Sequence, residues 1–248
     1  MKLQKVIIIG ATSAIAQHCA RRWAATPSEF LLVGRDTARL EQAAQDLRVR
    51  SPGSIVSTEV VDFLDAGAIG QLVTRCAAGG PIDIALIAHG TLPDQGRLQV
   101  DLAGCSHALA LNGISPALFM EAFAAHMERS KGGRLVVIGS VAGDRGRKSN
   151  YVYGAAKGML ERYVQGLQHR LAGSGVRVSL VKPGPTATPM TSGLDGVGVT
   201  LAKVEDVAAA IVRGVKRGKP VIYAPGKWLV IMLVIRHLPR FIFNKLDI

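Results

Sequence analysis

Short apolar runs alternate along this chain with longer stretches in which apolar residues recur at helical spacing. Val6–Ile9 is a β-branched run closed by Gly10 and reads as a buried strand. Ala14–Ala25 is Ala-rich with Arg21 and Arg22 and reads as a helix. The same alternation continues. Strands are expected at Phe30–Val33, Ile55–Val61, Ile82–Ala88, Gly133–Ile138, Val176–Val181 and Pro220–Tyr223. Helices are expected at Thr37–Arg48, Ala66–Ala77, Cys105–Met127, Tyr153–Leu171 and Val204–Val215. Most of the strands are continuous apolar runs, the pattern of a parallel sheet covered on both faces. No repeat, linker or low-complexity tract divides them. The expectation is one Rossmann-type doubly wound α/β domain of about seven parallel strands over residues 1–226, with a basic, apolar extension over 227–248. Ligands in such folds bind beyond the carboxyl ends of the strands.

At 248 residues and 48% hydrophobic, the chain can bury a core without staples. Cys19, Cys76 and Cys105 stand far apart with neither a CxxC pair nor metal-ligand spacing. They indicate a reducing, cytoplasmic setting rather than a disulfide framework. The N-terminal apolar run is too short for a secretory signal. No stretch reaches the roughly 18 apolar residues of a spanning helix.

Two turns carry candidate phosphate chemistry. Gly10-Ala-Thr12-Ser13-Ala14-Ile15-Ala16 joins the first strand to the first helix, where backbone N–H groups can hold a pyrophosphate. Its spacing is not G-x-G-x-x-G. Gly34-Arg35-Asp36 follows the second strand. An acid here serves a ribose 2′-hydroxyl, whereas an arginine pairs with a 2′-phosphate. Arg35 favours NADP(H), and the neighbouring Asp36 leaves NAD(H) open.

Tyr153 and Lys157 lie four residues apart and share one helix face. A phenol with a pKa of about 10 is a poor acid at neutral pH. A nearby ammonium is expected to lower it and to poise Tyr153 to protonate a carbonyl oxygen as hydride reaches the carbon. Ser140, thirteen residues earlier and just past the fifth strand, can hydrogen-bond the same oxygen. Asn112 can anchor a water relay.

In these residues the chain resembles the short-chain dehydrogenase/reductase family over residues 5–224. The resemblance is carried by Gly10–Ala16, Asp62, Asn112, Ser140, Tyr153-x-x-x-Lys157 and Pro183-Gly184-Pro185-Thr186-Ala187-Thr188. It implies that Lys157 also holds the nicotinamide ribose, with Tyr153 beside it. It further implies that Asp62 and Phe63 border the adenine, that Ala88–Gly90 lines the cofactor, and that Thr188 contacts the carboxamide. Pro183–Thr188 would cover the nicotinamide and lead into a mobile substrate loop, Pro189–Leu201. It also implies a homodimer or homotetramer built through the Cys105–Met127 and Tyr153–Leu171 helices. Two departures stand out. Ala14 and Ala16 replace glycines of the turn, and Ile87-Ala88-His89-Gly90 replaces Asn-Asn-Ala-Gly. The second removes a sheet-stabilising amide and puts His89 near the cofactor, as a packed or as a functional side chain.

The formal charge of +12 raises nucleic acid or an anionic membrane as partners. No aromatic-interleaved basic stripe supports nucleic acid. Between Arg213 and Ile248 there are eight Lys or Arg and one acid, Asp247. The apolar run Trp228–Ile235 has Lys and Arg flanks, and Pro239 separates it from Phe241–Phe243. This tail suits either an interfacial helix at the inner face of a membrane or packing on protein. Ala88-His89-Gly90 and the tail together resemble one branch of the family, which includes a reductase of decaprenylphosphoryl-2-keto-ribose. The expected activity is therefore NADPH-dependent ketone reduction, with a lipid-linked keto-sugar as one substrate class. A soluble carbonyl reductase or hydroxyacyl dehydrogenase is the alternative. A non-catalytic NADP-binding regulator is a third reading, which the complete Ser140, Tyr153 and Lys157 set disfavours.

Overall fold

The structure is a computed structural model that describes residues 3–194 and 200–246. Seven parallel strands, β1 (Gln4–Ile9), β2 (Ser28–Gly34), β3 (Ile55–Val60), β4 (Ile84–Ile87), β5 (Arg134–Ile138), β6 (Arg177–Pro183) and β7 (Val221–Ala224), form one sheet. Their order is β3-β2-β1-β4-β5-β6-β7. The chain winds outward from β1 in one direction, then crosses back to β4 and winds the other way. The resulting switch point lies between β1 and β4, where Ile9 pairs with Ile87.

Side-chain alternation explains why the strands read as unbroken apolar runs. Ile7, Ile9, Ala85, Ile87, Leu135 and Val137 enter one core; Val6, Ile8, Ile84, Leu86 and Val136 enter the other. The first core is closed by α3 (Ala66–Ala78), α6 (Ser115–Arg129) and α7 (Tyr151–Arg170). The second is closed by α1 (Ala14–Trp23), α2 (Thr37–Arg50) and α8 (Val204–Lys216). β3 departs from the buried pattern because it is a sheet edge, with Ile55 and Val60 more than half exposed.

Short α4 (Gln95–Leu98) was not legible as a helix. It is capped by Asp94, whose carboxylate accepts from the Arg97 N–H at 2.8 Å. The expected Cys105–Met127 helix is longer and not uniform. It runs as α5 (Leu102–Leu109), a π turn (Ala110–Ile114) and α6. As a unit, Leu102–Arg129 is long and apolar enough to span a membrane, contrary to the sequence expectation. Phe119, Met120, Phe123 and Met127 are fully buried, however, so its apolar face is used by the core. Beyond β7 the tail forms α9 (Lys227–His237) and α10 (Arg240–Phe243), separated at Pro239. The expected substrate loop begins as a 3₁₀ turn at Pro189–Leu194; residues 195–199 lie outside the described ones.

A buried ionic cluster ties the layers together near the carboxyl end of β6. Lys182 pairs with Asp144 and, at 2.8 Å, with Glu161 of α7; the Tyr223 hydroxyl donates to Asp144 at 2.9 Å. The Lys182 and Asp144 side chains are 2% and 0% exposed. Burial alone would lower the Lys182 pKa, but the hydrogen bonds it donates to Asp144 and Glu161 outweigh that and hold the ammonium above its usual range. Breaking such a pair from one side leaves an uncompensated buried charge. Lys182→Met is expected to cost about 3–5 kcal/mol in urea unfolding. A loss under about 1 kcal/mol would mean that Asp144 finds water or another cation.

Candidate active site

Five segments meet at the carboxyl edge of the sheet around the switch point. The first is the turn after β1. Gly10 has φ +79°, and a Cβ there would sit 2.6 Å from the His89 backbone nitrogen. Only glycine serves, because the conformation is left-handed and the space is taken. Thr12, Ser13, Ala14 and Ile15 are half-buried beyond it. α1 starts with no acid in its first turn and no side-chain cap from Ser13, so its leading N–H groups are left to a ligand. Ala16 is fully buried against the sheet, which explains why a small residue suffices where the sequence lacks a glycine. This is a cradle that fits a dinucleotide pyrophosphate.

The second segment follows β2. Asp36 is occupied as the N-cap of α2, its carboxylate accepting from the Arg39 N–H at 3.0 Å. Arg35 is exposed and lies over the Phe63 ring, 5.8 Å from its centre. Asp62, after β3, is exposed and turns the chain by accepting from the Leu64 N–H at 2.9 Å. Phe63 follows Asp62, and its ring turns inward. It is 3% exposed and packs against His89 and Phe119 with centroids 4.5 and 5.6 Å away.

The third segment is Ala88-His89-Gly90. The Ser115 hydroxyl has one proton and gives it to the Phe63 carbonyl at 2.6 Å, so His89 Nε2 must donate to Ser115 Oγ at 2.8 Å. His89 Nδ1 is then a bare acceptor, buried and without a partner. Burial, with Lys157 and Arg35 nearby, lowers its pKa to about 3, so the ring stays neutral. His89 thus replaces the missing amide of the strand end with a packed, hydrogen-bonded ring. Gly90 follows, where a Cβ would come within 2.7 Å of Asn112 Oδ1 and 3.7 Å of Lys157 Nζ.

The fourth segment is the π turn carrying Asn112, which is fully buried. Its amide donates to the Ala108 carbonyl at 3.0 Å, and its oxygen accepts from the Thr91 N–H at 2.8 Å. The side chain therefore brackets the loop after β4 against the helix. π turns of this kind recur at functional sites.

The fifth segment joins β5 to α7. Ser140 Oγ accepts from the Ala142 N–H at 3.1 Å and lies close enough to Tyr153 to pull its pKa down. Lys157 is 3% exposed; its ammonium donates to the Ile138 carbonyl at 3.0 Å and lies 5.7 Å from the centre of the Tyr153 ring. Burial lowers Lys157 to about 8. Tyr153 does not behave as expected from its lysine neighbour. Burial raises the phenol, and only the Ser140 hydroxyl pulls it back. The lysine is itself desolvated and committed to a carbonyl, so its field does not dominate. The sign for stability follows: between about 8 and about 10.5 the unfolded chain holds a proton on this lysine that the folded one has lost, so the site's contribution to stability rises with pH across that window.

Pro183–Thr188 closes the cleft. Thr186 is buried and donates to the Gly184 carbonyl at 2.8 Å, while Thr188 is half-buried and tied to Thr191. Gly184 lies flat against the Trp228 indole of α9, which a Cβ would overlap at 1.8 Å. Sequence reasoning missed this contact, and it missed three polar side chains around the N-terminus of α7. Gln95 Oε1 accepts from the Val152 N–H at 3.0 Å, leaving Gln95 Nε2 buried without a partner. Arg147 Nε and Asn150 Oδ1 are likewise buried and unpartnered among the described residues. Gln95 reaches the start of α7 only through the tertiary fold, 57 residues away in sequence from Val152.

The family model for short chain dehydrogenases matches residues 4–196. An uncharacterized oxidoreductase of Mycobacterium tuberculosis is 37% identical over 97% of this chain and 96% of its own length. An uncharacterized oxidoreductase of Streptomyces coelicolor is 32% identical, covering 98% and 96%. Among solved structures, a short-chain dehydrogenase from Sphingobium yanoikuyae in complex with NADPH superposes with a TM-score of 0.83 at 27% identity, covering 96% of this chain and 97% of that one. With the nucleotide cradle, the serine–tyrosine–lysine cluster and these likenesses together, the chain belongs to the short chain dehydrogenase family and is a nicotinamide-dependent oxidoreductase.

Proposed function

We propose that the protein reduces a ketone to an alcohol with NADPH, and that the ketone sits in an oxygen-rich headgroup carried on a lipid, such as a keto-sugar. The observation that carries the chemistry is the convergence of Ser140, Tyr153 and Lys157 at the carboxyl end of β5. Bound in the cleft, the reduced nicotinamide supplies the hydride. Tyr153 then gives its phenolic proton to the carbonyl oxygen. Ser140 is suited to donate to that same oxygen, since its own acceptor side is engaged by the Ala142 N–H. Lys157 stabilises the phenolate that forms and holds the nicotinamide ribose. Asn112 fixes the Gly90–Thr91 loop beside Lys157 and anchors the relay that returns the proton to Tyr153. Tyr153 remains protonated at neutral pH, which is the state reduction needs.

Gly10, Thr12, Ser13, Ala14 and Ile15 are assigned to the pyrophosphate, and Asp62 with the Phe63 backbone to the adenosine. Ala88, His89 and Gly90 form the floor, and Pro183, Gly184, Thr186 and Thr188 the cover. Preference for NADPH rests on Arg35, whose acidic neighbour is engaged as a helix cap. The unpartnered donors and acceptor of Gln95, Arg147 and Asn150 favour a polar headgroup. The basic, apolar tail against Gly184 favours a lipid-linked substrate met at a membrane surface on the cytoplasmic side. Exposed Leu109, Ile114, Leu118 and Met159 on the helices flanking the site favour a homo-oligomer built there.

Titration of NADPH and NADH, followed by fluorescence, tests the cofactor assignment. Arg35→Ala is expected to weaken NADPH about 10- to 100-fold, the loss of charge-assisted hydrogen bonds, and to leave NADH nearly unchanged. Equal losses for both would assign Arg35 to packing. Tyr153→Phe is expected to lower kcat about 10²- to 10⁴-fold with NADPH affinity intact. Retained turnover would remove Tyr153 as the acid. Ketone reduction by the wild type is expected to fall above a pH of about 8, as Lys157 loses its proton. A profile level to pH 10 would show that Lys157 keeps its charge.

A further inference from the structure

α9 is apolar on two sides, and the body of the protein covers only one. Trp228, Ile231, Met232 and Ile235 turn inward, with Met232 fully buried. Leu229, Val230, Leu233 and Val234 recur at i, i+1, i+4 and i+5 and are 54–64% exposed. Phe241 and Ile242 of α10 extend the apolar face and are 70% and 40% exposed. Apolar surface of this extent on one element marks an interaction site.

The face is framed by cations. Lys227, Arg236 and Arg240 belong to the same two helices, and Lys245 follows α10 by two residues. Next to Leu229 lies an open groove of about 350 Å³ between α8 and the edge strand β7, lined by Arg213, Arg217 and Lys219. Among the described residues, no acidic side chain pairs with any of these seven. A second copy of this chain seated here would set like charges against each other. An anionic lipid surface complements both parts, with phosphates on the basic groove and acyl chains on the apolar face.

The tail is also fixed to the rim of the cleft at both ends. Trp228 rests on Gly184 of the turn that closes it. Arg145, from the loop that follows Ser140, donates to the carbonyls of Ile235 and Leu238 at 2.5 and 2.7 Å and stacks on Phe243 at 3.7 Å. We infer that α9, α10 and the Arg213–Arg217–Lys219 groove form one docking surface for an anionic bilayer, which holds the mouth of the cleft against the headgroups. The inference rests on the proposed function only in taking that cleft as the place where a lipid-linked ketone reacts.

The test is co-sedimentation of the full-length protein with vesicles of phosphatidylcholine alone and with about one-third phosphatidylglycerol. The wild type is expected to bind the anionic vesicles at least tenfold more tightly, and to release in 0.5 M salt as screening sets in. Leu233→Ser with Val234→Ser, and separately Arg213→Gln with Arg217→Gln and Lys219→Gln, are each expected to weaken that binding at least tenfold. NADPH affinity and cooperative unfolding confirm that the variants fold. Equal binding to both vesicle types, no binding to either, or binding that ignores both variant sets would overturn the inference. So would a stable oligomer that Leu233→Ser with Val234→Ser converts to monomers. Vesicle binding without NADPH binding would sink the proposed function and leave the docking surface standing.

Discussion

Lys157 is an ammonium held out of water, and much of the site is arranged around that fact. A buried cation is costly unless hydrogen-bonded. Here the compensation is a single carbonyl, Ile138, at the end of β5, and the lowered pKa shows that it is partial. The neighbours yield space instead. Gly90 has no side chain where one would crowd Asn112 and come within 3.7 Å of the ammonium, and Gly143 lets its loop pass 2.8 Å from the Lys157 backbone at the point where a Cβ would stand. Asn112 turns its polar atoms to backbone groups rather than to the lysine. The protein thus keeps a charge poised at a place where the dinucleotide's ribose hydroxyls and the nascent phenolate would complete its coordination.

The loop from Ser140 to Asn150 transmits that arrangement outward. Asp144 points inward to Lys182 and Tyr223, and Arg145, the next residue, points outward to the end of α9. A single peptide step therefore separates the core's ionic cluster from the tail's C-terminal cap. Movement of α9 relative to the sheet would load this loop directly, since Ser140 lies only five residues before Arg145. The opposite end of α9 touches the turn that closes the cleft. The tail is better described as a wall of the site than as an appendage.

The sheet and its flanking helices were legible because parallel strands buried on both faces leave unbroken β-branched runs, as in Val6–Ile9 and Leu135–Ile138. The clustering of Tyr153 with Lys157 was legible because the two share a helix face at a spacing of four. What was not legible depends on contacts between distant segments. The π turn at Asn112 has no signature in Ala110–Ile114. The role of His89 needed Ser115 and Phe63, 26 residues either side of it, to fix its tautomer. The pKa of Tyr153 was read with the wrong sign, because adjacency to a cation was visible in the sequence and the depth of burial was not. Arg35 and Asp36 read as an ambiguous pair, and that the Asp36 carboxylate caps α2 is visible only in the fold.

The charge of +12 also resolves into places. Many basic residues of the domain body are neutralised locally, as in the Arg21–Asp46–Arg50 and Glu121–Arg170–Glu128 groups. Among the basic residues with no acidic partner within the described residues are Arg35 at the cleft and the band from Arg213 to Lys245. Clustered like charge destabilises a compact chain unless a counter-charge is supplied. The band from Arg213 to Lys245, which has no acidic partner among the described residues, is where such a counter-charge would act most.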